Sequence, residues 1–308
     1  MIWLLGILIC VGALPFVIES RRKPMDTEAR KTAPGEFVEL SQGLTHYRWI
    51  GPVRGPIAVC VHGLTTPSFV WGGLARGLSA MGFRVLVYDL YGRGYSDRPK
   101  GPQDRAFFLR QLEDLLDHQD VREDFTLIGY SMGGAIATAF AAAHPDRVRQ
   151  VLLIAAAGLG TNPGRLSQFI KSTPIFGDWL MMALFPLSHK RAVEADRDAP
   201  SSVPDIVPQM LGELSYRGYI RSVLASLRGI LREDMASDHK TLHKAGVPVL
   251  AIWGRKDSVI PLTAMGRLAE VSRSTRQDVI EDAGHGLTYT HTDQILEILK
   301  ETQQDALV

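Results

Sequence analysis

Phe125-Thr126-Leu127-Ile128-Gly129-Tyr130-Ser131-Met132-Gly133-Gly134-Ala135 runs from an apolar stretch, through Gly-x-Ser-x-Gly, into a segment of small residues. The apolar run predicts a strand buried on both faces, and alanines at 135, 137, 139 and 141 predict a slim helix packed closely on a sheet. A sharp turn between them would hold Ser131 in a strained backbone conformation, where side chains at 129 and 133 would collide. The helix N-terminus would aim its dipole and free N–H groups at an oxygen reacting there. The bare pentapeptide also occurs in turns that do no chemistry. Its strand–turn–helix setting makes Ser131 a candidate nucleophile.

Outward from this turn, further short apolar runs alternate with helical patterns. Ile57 to Val61, Arg84 to Tyr88 and Val148 to Ile154 read as buried strands, with helices over Phe69 to Met81, Arg105 to Leu116 and Gly133 to Ala143. The alternation predicts a doubly wound, mainly parallel α/β sheet. Phe37 to Leu40 and Leu44 to Ile50 read as an antiparallel hairpin at its start. Residues 36–158 form the first part of this core. From 159 to 245 no buried strand is evident, which predicts an inserted helical cap. Phe169, Ile170, Trp179, Leu180, Met181, Met182, Leu184 and Phe185 either line an apolar pocket or form the inner faces of packed helices. The core resumes over 246–308 with strands at Val247 to Trp253 and Asp278 to Glu281, and a helix around Leu262 to Val271.

Ile2 to Ile18 carries no charge and is followed by Arg21-Arg22-Lys23. As a helix it would rise about 25 Å, slightly short of a hydrocarbon core of about 30 Å. Residues 1–20 therefore read as an N-terminal membrane anchor. The basic cluster after it places the main domain in the cytoplasm. A cleaved signal peptide, leaving a secreted or periplasmic protein, is the competing reading, but no basic residue precedes the apolar run. Residues 21–35, charged and containing Pro24 and Pro34, read as a linker.

Composition narrows the function classes. The 308 residues carry a formal net charge of +1, which gives no reason to expect a nucleic-acid partner. Cys10 and Cys60 make no disulfide framework, and no HExxH, CxxC pair or Walker-type loop is present. Neither a metal nor another cofactor is expected.

A serine hydroxyl needs a base, and the base needs orienting. Asp257 follows the strand-like run Val249 to Trp253, and His285 follows the next one, between Gly284 and Gly286. Both loops would open at the carboxyl edge of the sheet, beside Ser131. Asp282 is a rival acid but lies too near His285 in sequence to reach its ring easily. The developing oxyanion needs donors. The N–H groups of Met132, after the nucleophile, and Leu64, in Val61-His62-Gly63-Leu64, are the candidates. His62, at a strand end, suits a loop-bracing hydrogen bond better than the role of base.

His62-Gly63, the segment from Asp89 to Ser96, Gly129-Tyr130-Ser131-Met132-Gly133-Gly134, Gly254-x-x-Asp257 and Gly284-His285 occur in this order. Together they resemble the α/β-hydrolase superfamily, in its branch with a helical cap, over about residues 36–303. The resemblance implies Ser131 as nucleophile, Asp257 and His285 as its partners, and Leu64 and Met132 as oxyanion donors. A serine at 131 disfavours haloalkane dehalogenases and epoxide hydrolases, which use aspartate there. The related carbon–carbon bond hydrolases often carry a tryptophan just after the histidine, where this chain has Gly286-Leu287.

The leading expectation is a serine hydrolase of carboxylic esters, with an apolar small-molecule substrate such as a monoacylglycerol drawn from the membrane. The alternatives are hydrolysis of a carbon–carbon bond in a dienone, with Arg165, Arg191 or Arg197 holding a substrate carboxylate, and a hydrolase-like binding protein without catalysis.

Overall fold

The computed structural model describes residues 2–160 and 164–305. Its strands are β1 (Glu36–Leu40), β2 (Gly43–Ile50), β3 (Ile57–Val61), β4 (Arg84–Tyr88), β5 (Phe125–Tyr130), β6 (Val148–Ile154), β7 (Val249–Gly254) and β8 (Arg276–Ile280). They form one sheet in the order β1-β2-β4-β3-β5-β6-β7-β8. Only β2 runs against the rest, since both of its pairings are antiparallel. Alternate residues serve opposite faces. Val59, Val61, Phe125 and Leu127 enter one apolar cluster, while Ala58, Cys60, Ile128 and Tyr130 enter the other.

The helices are α1 (Ile2–Ser20), α2 (Thr27–Arg30), α3 (Gly72–Ala80), α4 (Arg105–His118), α5 (Met132–Ala143), α6 (Arg165–Ser172), α7 (Phe176–Ala195), α8 (Ile206–Gly212), α9 (Tyr219–Arg228), α10 (Ala236–Ala245), α11 (Thr263–Val271), α12 (Leu287–Thr290) and α13 (Thr292–Asp305). Helices α4, α5, α10 and α11 cover one face of the sheet, and α3, α12 and α13 the other. This is the doubly wound arrangement that the alternation predicts. The helix expected from Phe69 begins instead as a tight 3-10 turn over Ser68–Trp71 before α3.

The segment between β6 and β7 contains no strand among its described residues. Its helices α6, α7 and α9 share a small cluster of their own, built on Ile170, Met181, Met182, Tyr219, Ile220, Val223 and Leu224. Helix α10 instead packs against α5 and α11 under the sheet. By its packing α10 thus groups with the sheet-covering helices rather than with α6, α7 and α9.

The N-terminal segment departs most from expectation. α1 forms, but among the described residues no helix is long and apolar enough to cross a membrane. The second half of α1 lies on the cap. Pro15 and Glu19 are buried there, Phe16 joins the cap cluster, and Trp179 Nε1 donates to the Val11 carbonyl at 3.3 Å. The stretch read as a linker is also fastened. The Lys23 amide donates to Ser215 O at 3.0 Å, and Arg30 Nε donates to Tyr95 O at 2.9 Å.

Candidate active site

Ser131 sits between β5 and α5 with φ 53° and ψ −118°, a conformation that a residue bearing a Cβ adopts only at a cost. Its neighbours hold it there. The Ser131 amide donates to Ile154 O at 3.0 Å, and the Gly134 and Ala157 amides each donate to Ser131 O at 2.9 Å. A Cβ at Gly133 would stand 1.9 Å from Val61 O, and one at Gly129 2.4 Å from Gly133 O. These are the collisions expected from the motif. Only glycine lets the β3 backbone and the helix start approach so closely.

The loops after β7 and β8 bring the other two groups to the same edge. His285 Nε2 lies 3.0 Å from Ser131 Oγ, and His285 Nδ1 lies 2.8 Å from Asp257 Oδ2. The second Asp257 oxygen accepts the amides of Val259 at 2.8 Å and Ile260 at 2.9 Å, which fixes the carboxylate's orientation. The Asp257 side chain is 1% exposed and that of His285 24% exposed, so the acid is shielded while the imidazole faces the cavity. Asp282 is turned outward and paired with Lys256 at 2.8 Å. Tyr130, the variable residue inside the motif, donates its hydroxyl to His285 O at 2.9 Å and ties the histidine loop to the serine turn.

Met132 is buried at the start of α5, where helix amides have no intrahelical acceptor. Opposite it, the loop after β3 comes close. A Cβ at Gly63 would meet that of Ser131 at 3.3 Å, and Leu64 lines the same cavity as Ser131. His62 braces this loop as expected. It accepts the Leu90 amide at Nε2 (2.9 Å), so the proton sits on Nδ1, which donates to Gly63 O at 2.8 Å. Complete burial pulls its pKa down to about 4, so it stays neutral.

Arg93 was not singled out by the sequence reading. Fully buried, it donates Nε–H to Leu64 O at 3.0 Å, and its amino groups reach Gln103 Oε1 at 2.6 Å and Ser226 Oγ at 2.8 Å. Burial lowers its pKa to about 10, which leaves it charged at neutral pH. It joins the loop beside Ser131 to α9 of the cap. The signal was an arginine between Gly92 and Gly94.

A cavity of about 980 Å³ opens over Ser131 and His285. Its apolar walls come from Val193, Met210, Leu227, Leu231 and Ile260. None of the eight cap residues considered from the sequence lines it. Ile170, Met181 and Met182 are inner faces of packed helices, while Phe169 and Leu184 are exposed. Arg165, Arg191 and Arg197 are also absent from its lining; the cationic side chains there are Lys171 and Lys256. His189 contributes a buried polar spot. Burial lowers its pKa, and its Nε2 has no hydrogen-bond partner. Among the described residues, no group of three or more His, Cys, Asp or Glu could hold a metal ion.

The chain can be set beside known proteins on this geometry. The α/β hydrolase fold family matches residues 56–292. A 2-hydroxy-6-oxononadienedioate/2-hydroxy-6-oxononatrienedioate hydrolase of Paraburkholderia xenovorans is 28% identical over 278 residues, covering 86% of this chain and 93% of that protein. An esterase from Exiguobacterium antarcticum superposes with TM-score 0.71 at 23% identity, covering 87% of this chain and 98% of that one. An enol-lactonase from Burkholderia xenovorans gives 0.69 at 22% identity, covering 87% and 100%.

Proposed function

The chain belongs to the α/β-hydrolase fold family, and on that footing we propose that it hydrolyses carboxylic esters through an acyl-enzyme on Ser131. One observation carries the reading: the unbroken relay from Asp257 Oδ2 through His285 to Ser131 Oγ, at 2.8 and 3.0 Å. His285 Nε2 takes the serine proton as Oγ attacks the acyl carbon. Asp257 steadies the imidazolium that forms. The N–H groups of Met132 and Leu64 receive the oxyanion. His285 then gives its proton to the leaving alkoxide, and the alcohol departs. Water, deprotonated by the same imidazole, attacks the acyl carbon; the His285 imidazolium then returns its proton to Ser131 Oγ as the bond to the serine breaks and the carboxylic acid leaves.

The aliphatic part of the wall, at Val193, Met210, Leu227, Leu231 and Ile260, suits an apolar acyl or alcohol group of the monoacylglycerol kind, beside polar groups such as Lys171 and Asp196, and a volume of about 980 Å³ leaves room for one. Hydrolysis of a carbon–carbon bond is the second reading, favoured by the relative named for that reaction. For a substrate carboxylate it would have to use Lys171 or Lys256, since none of Arg165, Arg191 and Arg197 lines the cavity.

A fluorophosphonate probe tests the mechanism. Intact protein is expected to label and Ser131→Ala to remain unlabelled; an unlabelled intact chain, or a labelled variant, overturns it. Turnover of nitrophenyl esters of increasing chain length, beside a dienone substrate, decides between the two reactions.

A further inference from the structure

Exposed large apolar side chains are unevenly spread over the surface. Apart from Val53 and Val259, every one among the described residues belongs to α1, α6, α7 or the residue just before α7. Ile175 and Phe176 are 76% and 71% exposed at the start of α7, with Phe169 on α6, Leu187 on α7 and Ile18 on α1 also in the open. Ile175 additionally has φ 64°, a conformation that penalises a β-branched residue. Neither burial nor backbone geometry within the fold rewards an isoleucine there.

The position of α1 bears on what covers this face. Its second half is seated on the cap, with the Gly218 amide donating to the buried Glu19 carboxylate at 2.7 Å. Among the described residues no helix is long and apolar enough to cross a membrane. Charge points the same way. The acids of α1 and α7 are neutralised in place, Glu19 by Arg22, Asp178 by Arg228 and Glu194 by Arg197. Arg21, Lys23, Arg165, Lys190 and Arg191 stand exposed on or next to these helices, against the exposed Asp196 and Asp198 at the end of α7. An apolar surface with a basic rim suits anionic lipid. A symmetric second copy would bring these same cations face to face.

We propose that α1, α6 and α7 form one interfacial docking face for an anionic phospholipid bilayer. The cap rests on the membrane surface, with α1 seated on it. The same α6 lends Ser167 and Lys171 to the cavity lining, so the docked face adjoins the site. This goes beyond the proposed reaction and would hold for another substrate.

Flotation of the full-length chain with phosphatidylcholine vesicles, with and without phosphatidylserine, tests it. Wild type should float with the anionic vesicles, less well in high salt. Ile175→Glu/Phe176→Glu, with α1 intact, should bind at least about tenfold more weakly. Circular-dichroism melting checks that the variant is folded, and Leu187→Glu serves as the second variant if it is not. Full membrane retention by folded variants would overturn the proposal, because α1 alone would then hold the chain. So would salt-insensitive binding that is equal on both vesicle types, or a wild type that stays off vesicles and sediments as a dimer the variants dissociate. Fluorophosphonate labelling of the same samples reports separately on Ser131.

Discussion

Arg93 holds the carbonyl of Leu64 at 3.0 Å from within the protein, and the amide of Leu64 belongs to the loop facing Ser131. One planar guanidinium thus holds the Leu64–Thr65 peptide, next to the one that carries the Leu64 amide, while its other end is bonded to Ser226 of α9. A lysine keeps the charge but loses the fork.

Arg93→Lys should therefore lower kcat by about ten- to a hundredfold with little change in KM, because a misaimed oxyanion donor weakens the transition state more than the substrate complex. Steady-state kinetics on a short ester measures the split. A change confined to KM would remove Arg93 from the alignment of the oxyanion loop.

Asp257 and Asp282 provide an internal control. Asp257→Asn keeps an oxygen for the Val259 and Ile260 amides but leaves His285 in the wrong tautomer, and should cost about 10⁴ in kcat. Asp282 is exposed and paired only with Lys256. Asp282→Asn should change kcat less than about twofold. The reverse order would make Asp282 the orienting acid.

His62 predicts a pH dependence of stability. Unfolded, its ring gains a proton below its ordinary value of 6.5; folded, burial delays this to about 4. The unfolded state binds the extra proton in that window, so stability falls as pH drops through it, by up to about 1.4 kcal/mol per pH unit from this group. In His62→Gln, urea titrations between pH 6.5 and 4 should show a slope shallower by one proton. An unchanged slope would mean that His62 is already charged in the fold.

The backbone at Ser131 can be tested without substrate. Ser131→Ala retains a Cβ at φ 53°, whereas Ser131→Gly removes it. Both should be inactive. The glycine variant should be more stable than the alanine variant by about 1 kcal/mol, which corresponds to about 2 °C in Tm for a chain of this size. Equal melting temperatures would argue against strain at this turn.

The parts of the molecule read best from sequence were those under dense local constraint. β3, β4 and β6 fall on the expected residues, since short apolar runs between turn residues leave little freedom of register. That Ser131, Asp257 and His285 meet was legible because each follows a strand at one sheet edge, so topology brings their loops together. Periodicity could not say which faces of α6 and α7 turn toward the cavity, because that depends on how the cap sits on the sheet. The apolar cap residues proved to be inner packing or outer surface, and the wall came from elsewhere. Arg93 was hidden for a related reason. Its partners Gln103 and Ser226 are distant in sequence, and no local pattern announces them. Apolarity of α1 was plain, but its lodging on α7 through Trp179 and its buried Glu19 was not.

The left-handed backbone at Ser131 also acts as a filter on descent. Glycine there relieves strain, so drift without selection on reactivity would be drawn toward losing the side chain. A serine at that point stands against the gradient of stability. A lineage that used this scaffold only to hold a ligand would gain by letting the hydroxyl go. A serine at φ 53° is thus a choice that folding alone does not favour.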